Sequence, residues 1–212
     1  MSEPKRQRDW NHLIVVLGQP GTGKSTYALK RAKALCKSPA YGLAHDPGWR
    51  LPDDDMLVRH PNFGSASQGL AQRPGAIHSL SVSDGEAVLS WGIDIAKASM
   101  EAGANCPVIV LLDEGVSTSG LNPYRMSPNL RDFIATRRHH NVGMIVTIQS
   151  PAMGHYQLLG LSTEIVMFRL IDEKGLKRLE SIGVPRNTLD RVRKLPDYQN
   201  ILFNSQKPGL TP

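Results

Sequence analysis

Leu13-Ile14-Val15-Val16-Leu17-Gly18-Gln19-Pro20-Gly21-Thr22-Gly23-Lys24-Ser25-Thr26 is the stretch on which the fold turns. Its first five residues are all Leu, Ile or Val, the composition of a strand buried on both faces of a parallel sheet. The pattern G-x-x-x-x-G-K-S follows at Gly18, Gly23, Lys24 and Ser25, and a helical pattern follows that. Backbone N–H groups of such a glycine-rich loop can converge on phosphate oxygens with no Cβ in the way. The positive end of the next helix lies beneath them. Lys24 brings a point charge to the phosphates, and the Ser25 hydroxyl is a ligand for Mg²⁺. The segment Gly18–Thr26 is therefore expected to cradle a nucleoside triphosphate, with ATP and Mg²⁺ as the bound species.

Length and composition fit that reading. The chain has 212 residues, 40% of them hydrophobic and 21% charged, enough for one α/β domain with a sizeable core. No apolar run approaches the ~20 residues of a membrane span, so no stable membrane insertion is expected. The first residues lack the apolar core of a signal peptide, and Cys36 and Cys106 form neither a disulfide framework nor a metal pattern. A soluble protein in a reducing compartment is the expectation. The formal net charge of +6 is compatible with a polyanionic partner without requiring one.

Taken in order, Met1–Asn11 carries Lys5, Arg6 and Arg8 and reads as a basic arm, either solvated or touching nucleic acid. A domain over residues 12–204 and a tail over 205–212 complete the expected organisation. After the glycine loop, Ala28, Ala32 and Leu35 repeat at helical spacing up to Ser38-Pro39. Tyr41–Ala44 reads as a short strand ending in His45-Asp46-Pro47-Gly48, and residues 49–75 are assigned no long element. Ala76–Leu80 reads as a strand, and Ser83-Asp84 caps a helix with Val88, Trp91 and Ile95 on its apolar face. Val108-Ile109-Val110-Leu111-Leu112 is a second wholly apolar strand, closing on Asp113-Glu114. A polar loop with Ser117, Ser119 and Gly120 leads to Ser127-Pro128, which opens a helix running into Arg137-Arg138-His139-His140. Strands over Met144–Ile148, Glu164–Leu170 and Ile201–Phe203 and helices from Glu173 and Pro185 follow. Alternating strands and helices predict an α/β fold, a mostly parallel central sheet with helices on both faces.

Asp113 and Glu114 end an apolar strand, at the sheet edge where ligands bind in open α/β folds. In a chain that also carries the glycine loop, Asp113 is placed as the Walker B acid holding the Mg²⁺ shell, and Glu114 as a general base for water. Gln149 ends another apolar strand, where it can report on a phosphate or simply cap the strand. Arg137 and Arg138 continue the stripe of Leu130, Phe133 and Ile134 and leave the core at the helix end. Either can neutralise charge at a neighbouring subunit's phosphate, or both are a basic turn favoured by the helix dipole. His139 and His140 lack partners at metal-ligand spacing. Asp53-Asp54-Asp55 reads as a solvated acidic turn.

Taken together, Gly18–Ser25, the HDPG turn at His45–Gly48, VIVLLDE at Val108–Glu114 and TRRHHNVGMIVTIQSP at Thr136–Pro151 resemble the FtsK–HerA superfamily of DNA-pumping ATPases. Within it, the likeness is to the genome-packaging ATPases of tailless, membrane-containing icosahedral viruses. Ile165–Leu170, Gly183-Val184-Pro185 and Lys194-Leu195-Pro196 fit the same pattern, so the resemblance covers residues 12–204. It implies a RecA-like (ASCE) P-loop NTPase that assembles into a ring, usually a hexamer, around double-stranded DNA. Arg138 falls where the family carries an arginine acting in trans. Capsid or portal vertex proteins are the implied partners, and the cytoplasm of an infected cell or the virion packaging vertex the implied location. A Zot-like ATPase of filamentous phage assembly and a P-loop small-molecule kinase are the alternatives. A non-catalytic ATP-switched scaffold fits less well with Lys24, Ser25, Asp113 and Glu114 all present.

Overall fold

The structure, a computed structural model, describes residues 12–36, 40–115 and 126–204, apart from the side chains of Asn129 and Arg138. The expected N-terminal arm, the helix stop at Ser38-Pro39, the Ser117–Gly120 loop and the 205–212 tail lie outside the described residues.

Among the described residues, eight strands join in one sheet: β1 (Leu13–Leu17), β2 (Tyr41–His45), β3 (Leu57–His60), β4 (Ile77–Leu80), β5 (Val108–Leu112), β6 (Val142–Ile148), β7 (Glu164–Met167) and β8 (Ile201–Asn204). Their order is β3-β4-β2-β5-β6-β1-β7-β8, and every neighbouring pair is parallel except β7 with β8. β6 thus separates the strand that feeds the glycine loop from the strand that feeds Asp113. Parallel pairing puts the carboxyl ends of β1, β2, β5 and β6 on one edge, which gathers Gly18, Asp46, Asp113 and Gln149.

The side chains alternate between two cores, as the strand period requires. Leu13, Val15 and Leu17 enter one cluster and Ile14 and Val16 the other. The first core lies under α2 (Phe63–Gln72), α3 (Gly85–Glu101), α4 (Pro128–Thr136), α5 (Tyr156–Gly160), α6 (Glu173–Ser181) and α7 (Arg186–Arg193). Among the described helices, only α1 (Lys24–Leu35) supplies residues to the second core, through Ala28, Leu29 and Ala32. That face is closed further by Leu51 and Phe168.

Residues 49–75 differ from expectation, because they hold both β3 and α2. The helix FGSASQGLAQ offers few apolar signals and buries only Ala66, Gly69 and Leu70. It forms because the Asn62 side chain accepts the Ser65 N–H at 2.9 Å and Phe63 packs edge-on to Trp91 at 5.3 Å. Tertiary packing here outweighs poor intrinsic propensity. The acidic turn is only partly solvated: Asp54 pairs with Lys33 at 2.6 Å, while the Asp53 and Asp55 side chains are 90% and 89% exposed. The strand expected over Glu164–Leu170 stops at Met167, because the chain then leaves the sheet to run beside the glycine loop.

Candidate nucleotide site

The Gly18–Ser25 loop is held at both ends. Gly18 N–H donates to the Ile148 carbonyl of β6, Gln19 N–H to the Arg169 carbonyl, and Tyr198 N–H to the Thr22 carbonyl at 3.1 Å. Two glycines are required by space as much as by conformation. A Cβ at Gly18 would lie 2.6 Å from Phe168 Cβ. At Gly23, which caps α1 with φ 98°, it would lie 2.8 Å from the Tyr198 ring. The loop thus delivers the N-terminus of α1 and the side chains of Lys24 and Ser25 to one point.

Lys24 is 8% exposed and donates its ammonium to the Gln19 carbonyl at 2.8 Å. Burial lowers its pKa, and the nearby charges of Asp113 and Glu114 act in the opposite direction. Ser25 Oγ donates to Asp113 Oδ1 at 2.9 Å, so the two expected Mg²⁺ groups meet across the loop. Asp113 is 2% exposed, and burial raises its pKa against the hydrogen bonds from Thr147 and Ser25.

Thr147, on β6, escaped the sequence reading. Its hydroxyl donates to Asp113 Oδ1 at 2.8 Å, and its oxygen accepts the Glu114 N–H at 2.8 Å. Glu114 has φ 51°, a left-handed conformation uncommon for a residue with a long side chain, and that amide bond helps hold it there. Its carboxylate pairs with the Arg50 guanidinium. Arg50 was not foreseen either, since it lies in a turn 64 residues away.

Gln149 is exposed and directly follows Ile148, the residue that anchors Gly18, so it sits beside the loop. Arg137 is placed otherwise than expected. It begins a 3-10 turn (Arg137–His140), is 5% exposed, and donates to the carbonyls of Ile134 and Leu161. The turn bends it back under α4 instead of sending it outward. His140 meets the Thr136 hydroxyl at 3.2 Å, in keeping with a packing role.

A cleft of about 480 Å³ opens beside the loop, lined by Gly23, Tyr27, Lys30, Phe168, Tyr198 and Asn200 among others. Tyr27 and Phe168 meet edge to face at 5.9 Å. Aromatic walls with a few polar groups suit a planar heterocyclic ring. No sequence motif pointed to this cleft, because Tyr198 reaches it from the far end of the chain.

Among the described residues, no group of three or more His, Cys, Asp or Glu is arranged to hold a metal by protein groups alone. Ser25 and Asp113 do fit Mg²⁺. Both offer hard oxygen donors, and such ions complete their shell with water and phosphate.

The fold is an α/β fold of RecA-like type, with a mostly parallel sheet, as the resemblance to the FtsK–HerA superfamily implies. Solved structures bear this out for the fold. The chain is similar to the genome packaging NTPase B204 from Sulfolobus turreted icosahedral virus 2 in complex with ATP-gammaS, with TM-score 0.69 and 14% identity, covering 95% of this chain and 100% of that one. It is also similar to VirB4 of Thermoanaerobacter pseudethanolicus (TM-score 0.61, 10% identity, 92% and 87% covered). The pCW3 conjugation coupling protein TcpA with ATPgS matches at TM-score 0.56 and 14% identity, over 96% of this chain and 60% of that one. No family model and no curated protein matches the chain.

Proposed function

We propose that this protein is an ATP-hydrolysing motor that moves double-stranded DNA into a viral capsid, acting as a ring of like subunits. The observation that carries the reading is the convergence of Lys24, Ser25, Asp113, Thr147 and Glu114 at one sheet edge. That edge belongs to a fold shared end to end with a packaging NTPase. A kinase would use the loop and Asp113 but has no need of Glu114 as a base for water.

ATP lies with its triphosphate in the Gly18–Thr26 loop and its base in the cleft between Tyr27 and Tyr198. Lys24 gives up the Gln19 carbonyl for the phosphates. Ser25 and Asp113 hold Mg²⁺, which when bound supplies charge neutralisation at the phosphates. Glu114 accepts the proton of the attacking water, and Gln149 contacts the phosphate or that water. Arg138, from the next subunit, compensates charge developing in the transition state. DNA contacts fall on phosphates, because a motor must accept any sequence. The segment 49–75, with Arg59 and Arg73, and residues 151–156 are where we place them.

No helix among the described residues is long and apolar enough to cross a membrane. Capsid or portal proteins are the proposed partners, at a packaging vertex or in the infected cell. The test is phosphate release from ATP with and without duplex DNA, alongside sedimentation with an ATP analogue. DNA-stimulated, salt-sensitive turnover by a ring supports the reading. Transfer of phosphate to a small acceptor without net hydrolysis overturns it in favour of a kinase.

A further inference from the structure

Two short helices connect β7 to the last strand of the sheet. α6 (Glu173–Ser181) and α7 (Arg186–Arg193) are joined by the four residues Ile182–Pro185. Gly183 sits there at φ 96°, and the Gly183 and Val184 N–H groups turn back onto the carbonyls of Glu180 at 3.0 Å and Leu179 at 3.1 Å. Leu176, Leu179, Val184, Leu189 and Val192 enter the first core from the two helices and their turn. A helix, a four-residue turn with a left-handed glycine and a second helix docked by its apolar side make a helix-turn-helix.

Both ends of this unit are tied to the nucleotide site. Asp172 caps α6 through the N–H groups of Lys174 and Gly175, both at 3.1 Å, and accepts the hydroxyl of Ser150, the residue after Gln149. The helix approaches so closely that a Cβ at Gly175 would lie 2.8 Å from Pro151. Beyond α7, Asp197 pairs with Arg169 at 2.9 Å, and the Tyr198 N–H reaches the Thr22 carbonyl. A partner seated on α7 is therefore held on the body of the protein.

The side of α7 that faces solvent is polar and basic. With Leu189 and Val192 inward, the helical period sets Asn187, Asp190, Arg191 and Lys194 on one outward stripe, and all four are exposed. Other arginines of the unit are committed. Arg193 forks onto Glu173 at 2.8 and 3.0 Å, Arg186 faces Glu180 at 3.9 Å, and Arg178 holds the carbonyls of Pro151, Ala152 and Gly154. Among the described residues, neither Arg191 nor Lys194 forms an ion pair. Asn187 Oδ1 accepts the Thr188 N–H at 2.8 Å, which leaves its NH₂ group to donate.

These residue types suit the major groove of B-form DNA, which admits an α-helix. There an arginine fork matches O6 and N7 of guanine, and an Asp carboxylate accepts the amino group of cytosine. Asp190 in the middle of the stripe is the telling residue: a surface that only tracked phosphates, or lay on an anionic membrane, would be repelled by it. RNA fits less well, because its A-form major groove is too narrow for side chains to read.

We propose that α7 is a reading helix that enters the major groove of double-stranded DNA, with Arg191 on base edges and Lys194 on the backbone. Translocation must ignore sequence, but choosing one duplex among many must not, and α7 serves that choice. The assignment of DNA as the duplex rests on the function proposed for the chain.

The experiment is selection by the full chain from a pool of random-sequence DNA duplexes. Affinities for the enriched duplex and a scrambled one are then measured across a range of salt. The wild type should enrich a short motif. Arg191→Ala should lower the enriched-to-scrambled affinity ratio by about 5- to 150-fold, the span of one bidentate base contact, and Arg191→Lys should not restore it. Lys194→Ala should weaken both duplexes alike and reduce the salt slope by about one. Both side chains are exposed, so urea midpoints should not move. ATP turnover stimulated by unselected DNA is measured alongside. No enrichment, or a ratio unchanged in Arg191→Ala, overturns the reading helix, and stimulated turnover then leaves the motor standing. Tighter binding to duplex RNA or to anionic vesicles than to DNA also overturns it. Absence of both DNA binding and stimulation overturns both.

Discussion

The Thr147 hydroxyl on β6 donates to the Asp113 carboxylate on β5 at 2.8 Å while accepting the amide of Glu114 at the same distance. One hydroxyl therefore orients the metal-binding acid and the backbone of the base together. Thr147→Val keeps the shape and removes both bonds. It leaves a buried carboxylate with one donor fewer and an amide without its acceptor, at a cost of roughly 1–3 kcal/mol. We expect a lower denaturant midpoint and a fall in kcat. Thr147→Ser should recover most of both. A Val variant with unchanged midpoint and turnover would remove Thr147 from the site.

Lys24 and Glu114 should fail differently. Lys24 acts on phosphate in both ground and transition states, so Lys24→Ala is expected to abolish nucleotide binding and turnover alike. Glu114 acts only on water, so Glu114→Gln should bind ATP and stall, losing ~10²–10⁴-fold in kcat. The measurement is single-turnover hydrolysis beside equilibrium binding. Near wild-type hydrolysis in Glu114→Gln would sink its assignment as base.

What the sequence disclosed and what it hid have a common cause. β1 and β5 were legible because wholly apolar runs precede a phosphate-loop pattern and an acidic pair, both local signals. The parallel sheet followed from alternation of elements. Thr147, Arg50 and Tyr198 were not legible, because their roles arise from strand register and from chain returning across long separations. α2 was hidden for another reason: it is built mostly of Gly, Ser, Ala and Gln, and it relies on one cap, one aromatic contact and the burial of Ala66, Gly69 and Leu70. The sequence leaves Arg137 as either a trans-acting arginine or a basic helix-end turn, because its burial depends on the Leu161 carbonyl, which no local pattern announces.

Acid should weaken the β3–β4 corner. His60 Nε2 and His78 Nδ1 lie 2.9 Å apart in the core, and His78 Nε2 meets the Arg73 carbonyl at 3.0 Å. In the neutral arrangement His78 Nε2–H donates to the Arg73 carbonyl and His60 Nε2–H donates to His78 Nδ1, and His78 cannot add a proton without losing the bond from His60. Burial lowers the pKa of each. The unfolded chain then takes up protons that the native state refuses. Stability is full above about pH 6.5, the ordinary histidine value, and is lost as pH falls below it, by at most ~1.4 kcal/mol per pH unit for each proton. Urea midpoints at pH 7.5 and pH 5 should separate accordingly. The separation should shrink in His60→Gln, and an equal separation in that variant would place the effect elsewhere, in buried His45 for example.

The two adjacent arginines at the end of α4 should divide cleanly. Arg137 is buried and holds the carbonyls of Ile134 and Leu161, so Arg137→Ala should cost roughly 1–3 kcal/mol of stability, the price of stranding those acceptors. Arg138 is the residue we assign to a neighbouring subunit's phosphate. Arg138→Ala should therefore fold normally and bind ATP, yet lose 10³-fold or more in turnover, the order of magnitude of an arginine finger. Subunit mixing makes the sharper test. Arg138→Ala and Lys24→Ala subunits are each expected to be inactive alone. In a mixed ring, some interfaces bring the intact loop of an Arg138→Ala subunit against the intact arginine of a Lys24→Ala subunit. ATPase activity should then reappear on mixing, with a maximum at intermediate proportions. No recovery, from variants shown to co-assemble, would rule out catalysis across the interface by Arg138. Normal hydrolysis by Arg138→Ala alone would pass the role to another arginine, with Arg169 beside the loop the next to test.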